Sequence, residues 1–257
     1  MSQRHPDKDD STYGLSRWLD GSEACWLAAI IATPLFFNIY SERVFEPDKI
    51  ALLRSIALVM VAAWGVKFID QQGWQHLDRL RPSNPDSIWH RPFALVILTL
   101  VVVYLVSTIF SINPGTSLAG SYQRLQGTYT TFSYIVIFAL MATTIRDRSQ
   151  VRRVVTVAII TSIPVAFYGL LQHFNLDPLP WGGDVTERVA GHMGNAIFIA
   201  AYLIMVVPLT LSRVIDAFSD ILTHEELSVA DVTRSSIYIF ALAIQLLTIY
   251  WSGSRGR

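Results

Sequence analysis

Residues 93–110 read FALVILTLVVVYLVSTIF, an uncharged run close to the roughly 20 residues that a helix needs to cross a membrane. Six further runs are mostly apolar and free of Asp and Glu. The seven predicted membrane spans are Ala24–Tyr40, Ile50–Ile69, Phe93–Phe110, Thr128–Ile145, Val151–Leu171, Ala196–Val214 and Ser236–Trp251. None shows a sustained polar face, which argues against the buried helices of a water-soluble protein. The sequence therefore predicts an all-α, polytopic membrane helix bundle over residues 24–257, preceded by a polar cytoplasmic tail over residues 1–23.

The composition of the chain supports this class. Hydrophobic residues make up 52% of the sequence and charged residues 16%, against roughly 25% charged residues in a typical soluble domain. The 20 basic residues balance the 20 acidic residues, so nothing in the net charge favours nucleic acid as a partner. No group of His, Cys, Asp and Glu has the spacing of metal ligands, and we expect neither a metal nor a cofactor.

The distribution of lysine and arginine predicts the orientation of the bundle. If the N-terminus is cytoplasmic, thirteen of the 20 basic residues fall in cytoplasmic segments and six fall on the outer side. The excess of basic residues in cytoplasmic loops therefore predicts a cytoplasmic N-terminus. Arg54 lies about one helical turn into the second span, and we expect its side chain to snorkel outward to the membrane surface.

Three arginines on the predicted outer side each lie next to glycine in a short polar segment. The segments are Arg124-Leu-Gln-Gly127, Arg188-Val-Ala-Gly191 and Ser252-Gly-Ser-Arg-Gly256. A guanidinium group presents a planar fork of N–H donors that matches the oxygens of a phosphate. The sequence therefore favours a lipid diphosphate as the ligand of these arginines.

The segment after Arg188 adds backbone donors to this hypothesis. Gly191, Gly194 and Asn195 directly precede an aliphatic run that is predicted to be helical. Because the amides at a helix start point toward a bound anion and glycine allows close approach, we predict an anion cradle here. His192 lies in the same segment and is a candidate general base, although a lone loop histidine is more often a polar surface residue.

The arginines also have ordinary alternatives. Asp184 and Glu187 are close in sequence to Arg188 and could pair with it, while Arg124 and Arg255 resemble interfacial arginines that snorkel to lipid headgroups. A transporter is a further alternative. The predicted spans contain no Asp or Glu, which argues against it because ion-coupled transporters usually need carboxylates within the membrane.

Three segments of the chain resemble motifs of the O-antigen ligase/polymerase superfamily of bacterial inner-membrane proteins. Arg188-Val-Ala-Gly-His-Met-Gly-Asn195, followed by an aliphatic helix ending near Pro208, resembles its signature. Tyr122-Gln-Arg-Leu-Gln-Gly-Thr-Tyr129 resembles its earlier Arg-x-x-Gly element, and Ser252-Gly-Ser-Arg-Gly256 resembles its Ser-Gly-Ser-Arg-Gly element. The elements occur in the expected order and span about residues 110–257.

The resemblance implies a metal-independent glycosyltransferase at the extracytoplasmic face of the bacterial inner membrane. Such an enzyme moves a glycan from undecaprenyl diphosphate to a hydroxyl acceptor in O-antigen-like polysaccharide synthesis. Arg188 and Arg255 would then be catalytic residues that hold the diphosphate. The implied substrate-binding residues are Arg124, Gly191, Gly194, Asn195 and Ser254. The implied partners are the lipid-linked glycan, its acceptor and membrane lipids.

The chain also departs from this superfamily. Its members have more spans and a large outer loop, late in the chain, with a histidine thought to activate the acceptor. Here the sequence stops two residues after Ser252-Gly-Ser-Arg255, so we expect an inactive N-terminal fragment of a larger bundle, with the catalytic base beyond residue 257. Ligase, polymerase and protein glycosyltransferase stay open, as do a flippase of lipid-linked saccharide and a non-catalytic scaffold.

Overall fold

The structure is a computed structural model that describes residues 21–38, 40, 46–70, 93–145, 147–179, 181, 183–223 and 229–254. In these residues all regular secondary structure is helical, as the sequence predicts. The helices are α1 (Gly21–Leu35), α2 (Glu46–Asp70), α3 (Ala94–Ile109), α4 (Pro114–Ala119), α5 (Thr128–Thr144), α6 (Arg148–His173), a 3₁₀ turn (Gly191–Met193), α7 (Ala196–Thr223) and α8 (Val229–Trp251).

Each predicted span overlaps one of the seven longer helices in the described residues. Four helical segments are long and apolar enough to cross a membrane, and three apolar helices are shorter. The long segments are Glu46–Val66, Arg148–His173, Ala196–Ser219 and Val229–Trp251, and the shorter ones are Glu23–Leu35, Ala94–Ile109 and Thr128–Thr144. These helices indicate a multi-pass membrane protein. The number of seven crossings and the orientation stay predictions from the sequence.

Two helices extend well beyond the predicted spans. α7 continues to Thr223 where the span was predicted to end at Val214, and α8 begins at Val229 where Ser236 was predicted. The added residues are amphipathic: Ala217 is buried, whereas Asp216 and Phe218 are exposed. Mean hydropathy detects only the uniformly apolar part of a helix, while backbone hydrogen bonding continues through an amphipathic segment.

Large apolar side chains cover much of the outer surface. Leu95, Val96 and Met205 each expose more than 60% of their surface, and no residue of α3 is buried. A water-soluble protein rarely exposes so extensive an apolar surface. Lipid contact accounts for it.

Contacts between Cα atoms divide the chain into two compact units. Unit 1 comprises Met1–Ala29 with Ile50–Arg146, and unit 2 comprises Ile30–Lys49 with Asp147–Arg257. In unit 1, α3 contacts α4 and α5, and the hydroxyl groups of Thr108 and Thr128 are hydrogen-bonded.

In unit 2, α6, α7 and α8 pack around two apolar clusters. The clusters comprise Val165, Ala166, Ile199, Leu203 and Ile244, and Ile159, Val206 and Ala241. A Cβ on Gly169 would lie 2.7 Å from Thr248 Cγ2, so this glycine permits close approach of α6 and α8. Gln245 Nε2 donates to Ser162 Oγ at 2.7 Å and to Thr210 Oγ1 at 3.0 Å, which ties the three helices together.

Candidate functional site

Arg188 and the turn Ser252–Ser254 are two predicted site segments that the structure brings together in unit 2. Arg188 Nε donates to the carbonyl oxygen of Ser252 at 3.4 Å, and Val189 N–H donates to the carbonyl oxygen of Trp251 at 3.3 Å. Val189 and Ala190 are buried, whereas Arg188 itself is exposed. The loop is therefore fixed by its apolar residues, and the guanidinium group stays accessible to a ligand.

Gly253 shapes the surface on which Arg188 lies. Its φ is +60°, a conformation that side chains with a Cβ rarely adopt. A Cβ at this position would lie 3.4 Å from Arg188 Nε and 3.5 Å from Arg188 Cγ. The backbone conformation of the turn therefore favours glycine, and a Cβ would make ordinary van der Waals contact with the Arg188 side chain.

The ion-pair alternative for Arg188 is not observed. In the described residues no salt bridge joins Arg188 to Asp184 or Glu187. Asp184 instead accepts hydrogen bonds from the hydroxyl and N–H of Thr186 and from the N–H of Glu187. The Thr186 hydroxyl, followed by these two N–H groups, lowers the pKa of Asp184. This carboxylate therefore stabilises its own turn and leaves Arg188 unneutralised.

Gln172, at the end of α6, holds the Arg188 loop from beneath. Its Oε1 accepts hydrogen bonds from the N–H of Ala190 at 3.0 Å and of Gly191 at 2.7 Å. Its Nε2 lies 3.3 Å from Asp177 Oδ2, and the side chain is fully buried. The sequence analysis did not single out Gln172. The available signal was its position directly after the predicted fifth span, which ends at Leu171.

Gly191 and Gly194 both adopt a left-handed backbone conformation, which glycine allows. Their φ values are +54° and +66°. A Cβ on Gly191 would lie 2.4 Å from Ile199 Cδ1, so the loop packs directly against α7. The two glycines therefore shape the path from Arg188 to the start of α7, whereas their predicted contact with an anion stays a prediction.

Asn195 and Ser254 both make hydrogen bonds at the start of α7. Asn195 Oδ1 accepts from the N–H of Ile197 at 2.8 Å, so the side chain takes one of the amides expected to form the anion cradle. Ser254 Oγ donates to the carbonyl oxygen of Ala196 at 3.1 Å. These contacts fix the turn after α8 against the start of α7, and the roles of both residues in substrate binding stay predictions.

His192 lies in an aromatic cluster. Its ring centroid is 4.5 Å from that of Tyr168 and 5.2 Å from that of Phe37. Nδ1 is buried and has no hydrogen-bond partner in the described residues. Burial, reinforced by the charge of Lys49 and opposed by Asp177, lowers the pKa of His192 to about 4. The imidazole is therefore neutral at physiological pH and is a weak base, since an effective general base has a pKa near the working pH.

Asp177 organises the polar residues beside this cluster. Tyr168 OH donates to Oδ2 at 2.8 Å, Trp181 Nε1 donates to Oδ2 at 2.6 Å, and Leu179 N–H donates to Oδ1 at 3.0 Å. Burial raises the pKa of Asp177, but the hydrogen bonds outweigh it and the net shift is downward. The sequence analysis missed this carboxylate, which precedes Pro178 in a turn-rich segment.

Lys49, which directly precedes the predicted second span, is a second residue whose contacts the sequence analysis did not predict. It is buried, and its Nζ donates to the carbonyl oxygens of Thr33 at 2.9 Å and Pro34 at 3.0 Å. Those carbonyl groups lie at the C-terminal end of α1, where no further helical turn supplies donors. Lys49 therefore caps a helix end while placing a positive charge near His192.

Arg54 in unit 1 is half-buried and contacts the loop before α5, and its predicted direction toward the outer membrane surface stays a prediction. Its Nε donates to Thr130 Oγ1 at 3.0 Å, and its Nη2 lies 2.7 Å from the carbonyl oxygen of Ala119 and 2.5 Å from that of Leu125. The guanidinium carbon lies 4.6 Å from the centre of the Tyr129 ring. The guanidinium group therefore connects α2 with α5 and with the loop that precedes it.

The same loop contains Arg124, which is exposed in unit 1. Close backbone packing at Gly120 and Gly127 leaves no room for a side chain at either position. A Cβ on Gly127 would lie 2.4 Å from Gly120 N, and one on Gly120, where φ is +87°, would lie 2.3 Å from the carbonyl carbon of Leu125. In this structure Gly127 of the Arg-x-x-Gly element is required by backbone packing.

Arg255 and residues 1–20 of the predicted tail lie outside the described residues. In the part of the chain that the structure describes, no three or more His, Cys, Asp or Glu side chains come together as a metal site. Comparisons with protein-family models, curated proteins and solved structures gave no match. The resemblance to the O-antigen ligase/polymerase superfamily therefore rests on the three sequence motifs.

Proposed function

We propose that the protein acts in glycan transfer from undecaprenyl diphosphate to a hydroxyl acceptor, at the extracytoplasmic face of a bacterial inner membrane. The products would be surface polysaccharides of the O-antigen type. Among the functions considered, this one makes the best use of Arg188, an exposed arginine of one motif that contacts the Ser252–Ser254 turn of another.

The contact of Arg188 with the Ser252–Ser254 turn is the observation that carries this proposal. The two segments are 64 residues apart in sequence, and both contain a predicted diphosphate-binding arginine. Arg255 directly follows Ser254. A second guanidinium group next to Arg188 would give the paired forks that suit the two phosphates of a diphosphate.

Positive charge at this position has a specific use in the reaction. When the bond between the anomeric carbon and the diphosphate oxygen breaks, negative charge develops on the leaving diphosphate. Fixed guanidinium groups stabilise that charge without reorganising during the reaction. The proposal does not use His192 as the base, because its pKa of about 4 makes it a poor proton acceptor at neutral pH.

Binding of undecaprenyl diphosphate to the purified 257-residue chain tests the proposal without requiring turnover. We expect Arg188→Ala to weaken binding roughly tenfold or more, because a charge-assisted contact contributes about 1.5–3 kcal/mol. Arg188→Lys should restore only part of the affinity, since lysine keeps the charge and loses the planar fork. Undecaprenol, which lacks the diphosphate, is the control ligand and should bind both variants equally.

Arg43→Ala is the matched control variant. Arg43 is predicted to lie on the same outer side and belongs to none of the motifs, so its replacement should leave diphosphate binding nearly unchanged. Equal losses in Arg43→Ala and Arg188→Ala would contradict the proposal and favour the scaffold alternative, with both arginines as interfacial anchors. A reporter fused after residue 185 that signals from the cytoplasm would also reject it.

A further inference from the structure

A polar cavity lies in unit 2 where α6 and α8 begin and α7 approaches its end. Its volume is about 390 Å³, within the usual range of roughly 300–1,000 Å³ for small-ligand sites. Each of the three helices contributes one arginine to its lining: Arg152 from α6, Arg213 from α7 and Arg234 from α8. Asp216, Ser219 and Tyr238 also line it.

Among the described residues that line this cavity, positive charge exceeds negative charge. Three guanidinium groups face it, and Asp216 is the single carboxylate in that part of the lining. Arg213 Nη1 lies 3.8 Å from Asp216 Oδ2, and Arg234 Nη2 lies 3.6 Å from Asp231 Oδ1. Both distances exceed those of strong charge-assisted hydrogen bonds, about 2.7–2.9 Å. The formal charge of these three guanidinium groups and two carboxylates is positive.

Arg213 is less exposed than the other two arginines of the cavity. Its side chain is about one-fifth exposed, whereas that of Arg234 is about half exposed. Like charges repel more strongly where they are partly shielded from water. An anion with several oxygens in the cavity would reduce the repulsion among the three guanidinium groups.

This cavity is distinct from the Arg188 site. α6 runs for 21 residues from Arg152 to His173, which at about 1.5 Å per residue is roughly 30 Å. Arg188 contacts the turn that follows α8, whereas Arg234 lies near the start of α8. The two sites therefore lie at opposite ends of α6–α8, separated by about the thickness of a bilayer hydrocarbon core.

We propose that the cavity lined by Arg152, Arg213 and Arg234 binds a phosphate-bearing anion. Guanidinium groups from three helices can bind phosphate oxygens from three directions, and the Tyr238 and Ser219 hydroxyl groups add polar partners. The phosphate belongs either to the headgroup of an acidic membrane lipid or to a free phosphate compound. A lipid headgroup is within reach because the ends of membrane-spanning helices lie at the depth of the headgroups.

Native mass spectrometry of the full chain, released from nanodiscs of mixed phosphatidylglycerol and phosphatidylcholine, tests the proposal. We expect phosphatidylglycerol to be retained in preference to phosphatidylcholine. Arg213→Gln should reduce that retention about tenfold or more. Arg148→Gln is the matched control, because Arg148 is exposed at the start of α6 and does not line the cavity.

Inorganic phosphate distinguishes the two sources. If it binds the detergent-purified chain in an Arg213-dependent manner and displaces phosphatidylglycerol, the site recognises a free phosphate. If phosphatidylglycerol alone binds in that manner, the ligand is a lipid headgroup. Both outcomes support the proposal.

Should Arg213→Gln fail to fold, the double variant of Arg152→Gln and Arg234→Gln, which alters two exposed arginines, replaces it. Retention that is equal for both lipids, or equal in the cavity and Arg148 variants, overturns the proposal.

Discussion

Arg54 and Arg188 are both arginines predicted for the outer membrane surface, yet their surroundings differ. Arg54 is enclosed by the loop before α5, with its nitrogens close to the oxygens of Ala119, Leu125 and Thr130. Arg188 has one side-chain hydrogen bond in the described residues, through Nε to Ser252 at 3.4 Å. Arg54 therefore stabilises the fold, whereas the terminal nitrogens of Arg188 are available to a ligand.

The largest expected effect is on Arg54. Arg54→Ala should lower the free energy of unfolding by about 2–4 kcal/mol, because two carbonyl groups and a hydroxyl lose a charged donor. Arg188→Ala should lower it by less than about 1 kcal/mol, since it removes one long hydrogen bond at an exposed side chain. Thermal unfolding in detergent measures both. Equal destabilisation by the two substitutions would remove the distinction between them.

Gly253→Ala should have an intermediate effect. The φ of +60° makes a Cβ unfavourable by about 1–2 kcal/mol, and the added carbon would also lie against Arg188. Gly183→Ala is the matched control, because a Cβ there would meet no atom within 4 Å. Thermal unfolding and undecaprenyl diphosphate binding should both weaken in Gly253→Ala only. Unchanged binding would show that the turn does not position Arg188.

The pH dependence of His192 should be the smallest effect, about 1 kcal/mol after allowing for partial exposure. Its pKa is lowered from 6.5 to about 4 in the folded state, so acid protonates the unfolded chain first. Stability is therefore full above pH 6.5 and falls between pH 6.5 and about 4. His192→Phe should remove the dependence of the melting temperature on pH over that window. A loss of stability caused by Asp177 would instead begin below its ordinary pKa of 3.8. An unaltered profile would contradict the burial of His192.

The helices could be predicted from local sequence, whereas the contacts of polar residues could not. Runs such as residues 93–110 lie on helices because a membrane-spanning segment must satisfy its backbone hydrogen bonds internally. Gln172, Lys49 and Arg54 gave no comparable signal. Their partners are carbonyl or amide groups far away in sequence, and a linear pattern does not contain those distances.

The structure of the motifs could be predicted from the sequence only in part. The glycines of the Arg188 segment were singled out by residue type, and positive φ values at Gly191 and Gly194 explain that residue type. The meeting of Arg188 with Ser252 needed the packing of α6, α7 and α8, because the two residues belong to loops that follow different helices. The arginine cavity at the opposite end escaped prediction for the same reason, since each of its arginines comes from a different helix.

The sequence alone determined the class of protein, the position of the helices and the residue types that a phosphate ligand would need. Those properties depend on hydropathy, backbone conformation and charge, which are local to a segment. Tertiary structure decided which arginines are committed to the fold and which stay accessible. That choice depends on how many carbonyl and hydroxyl oxygens from distant segments reach the guanidinium group: three oxygens approach Arg54, whereas Arg188 has a single long hydrogen bond, to Ser252, in the described residues.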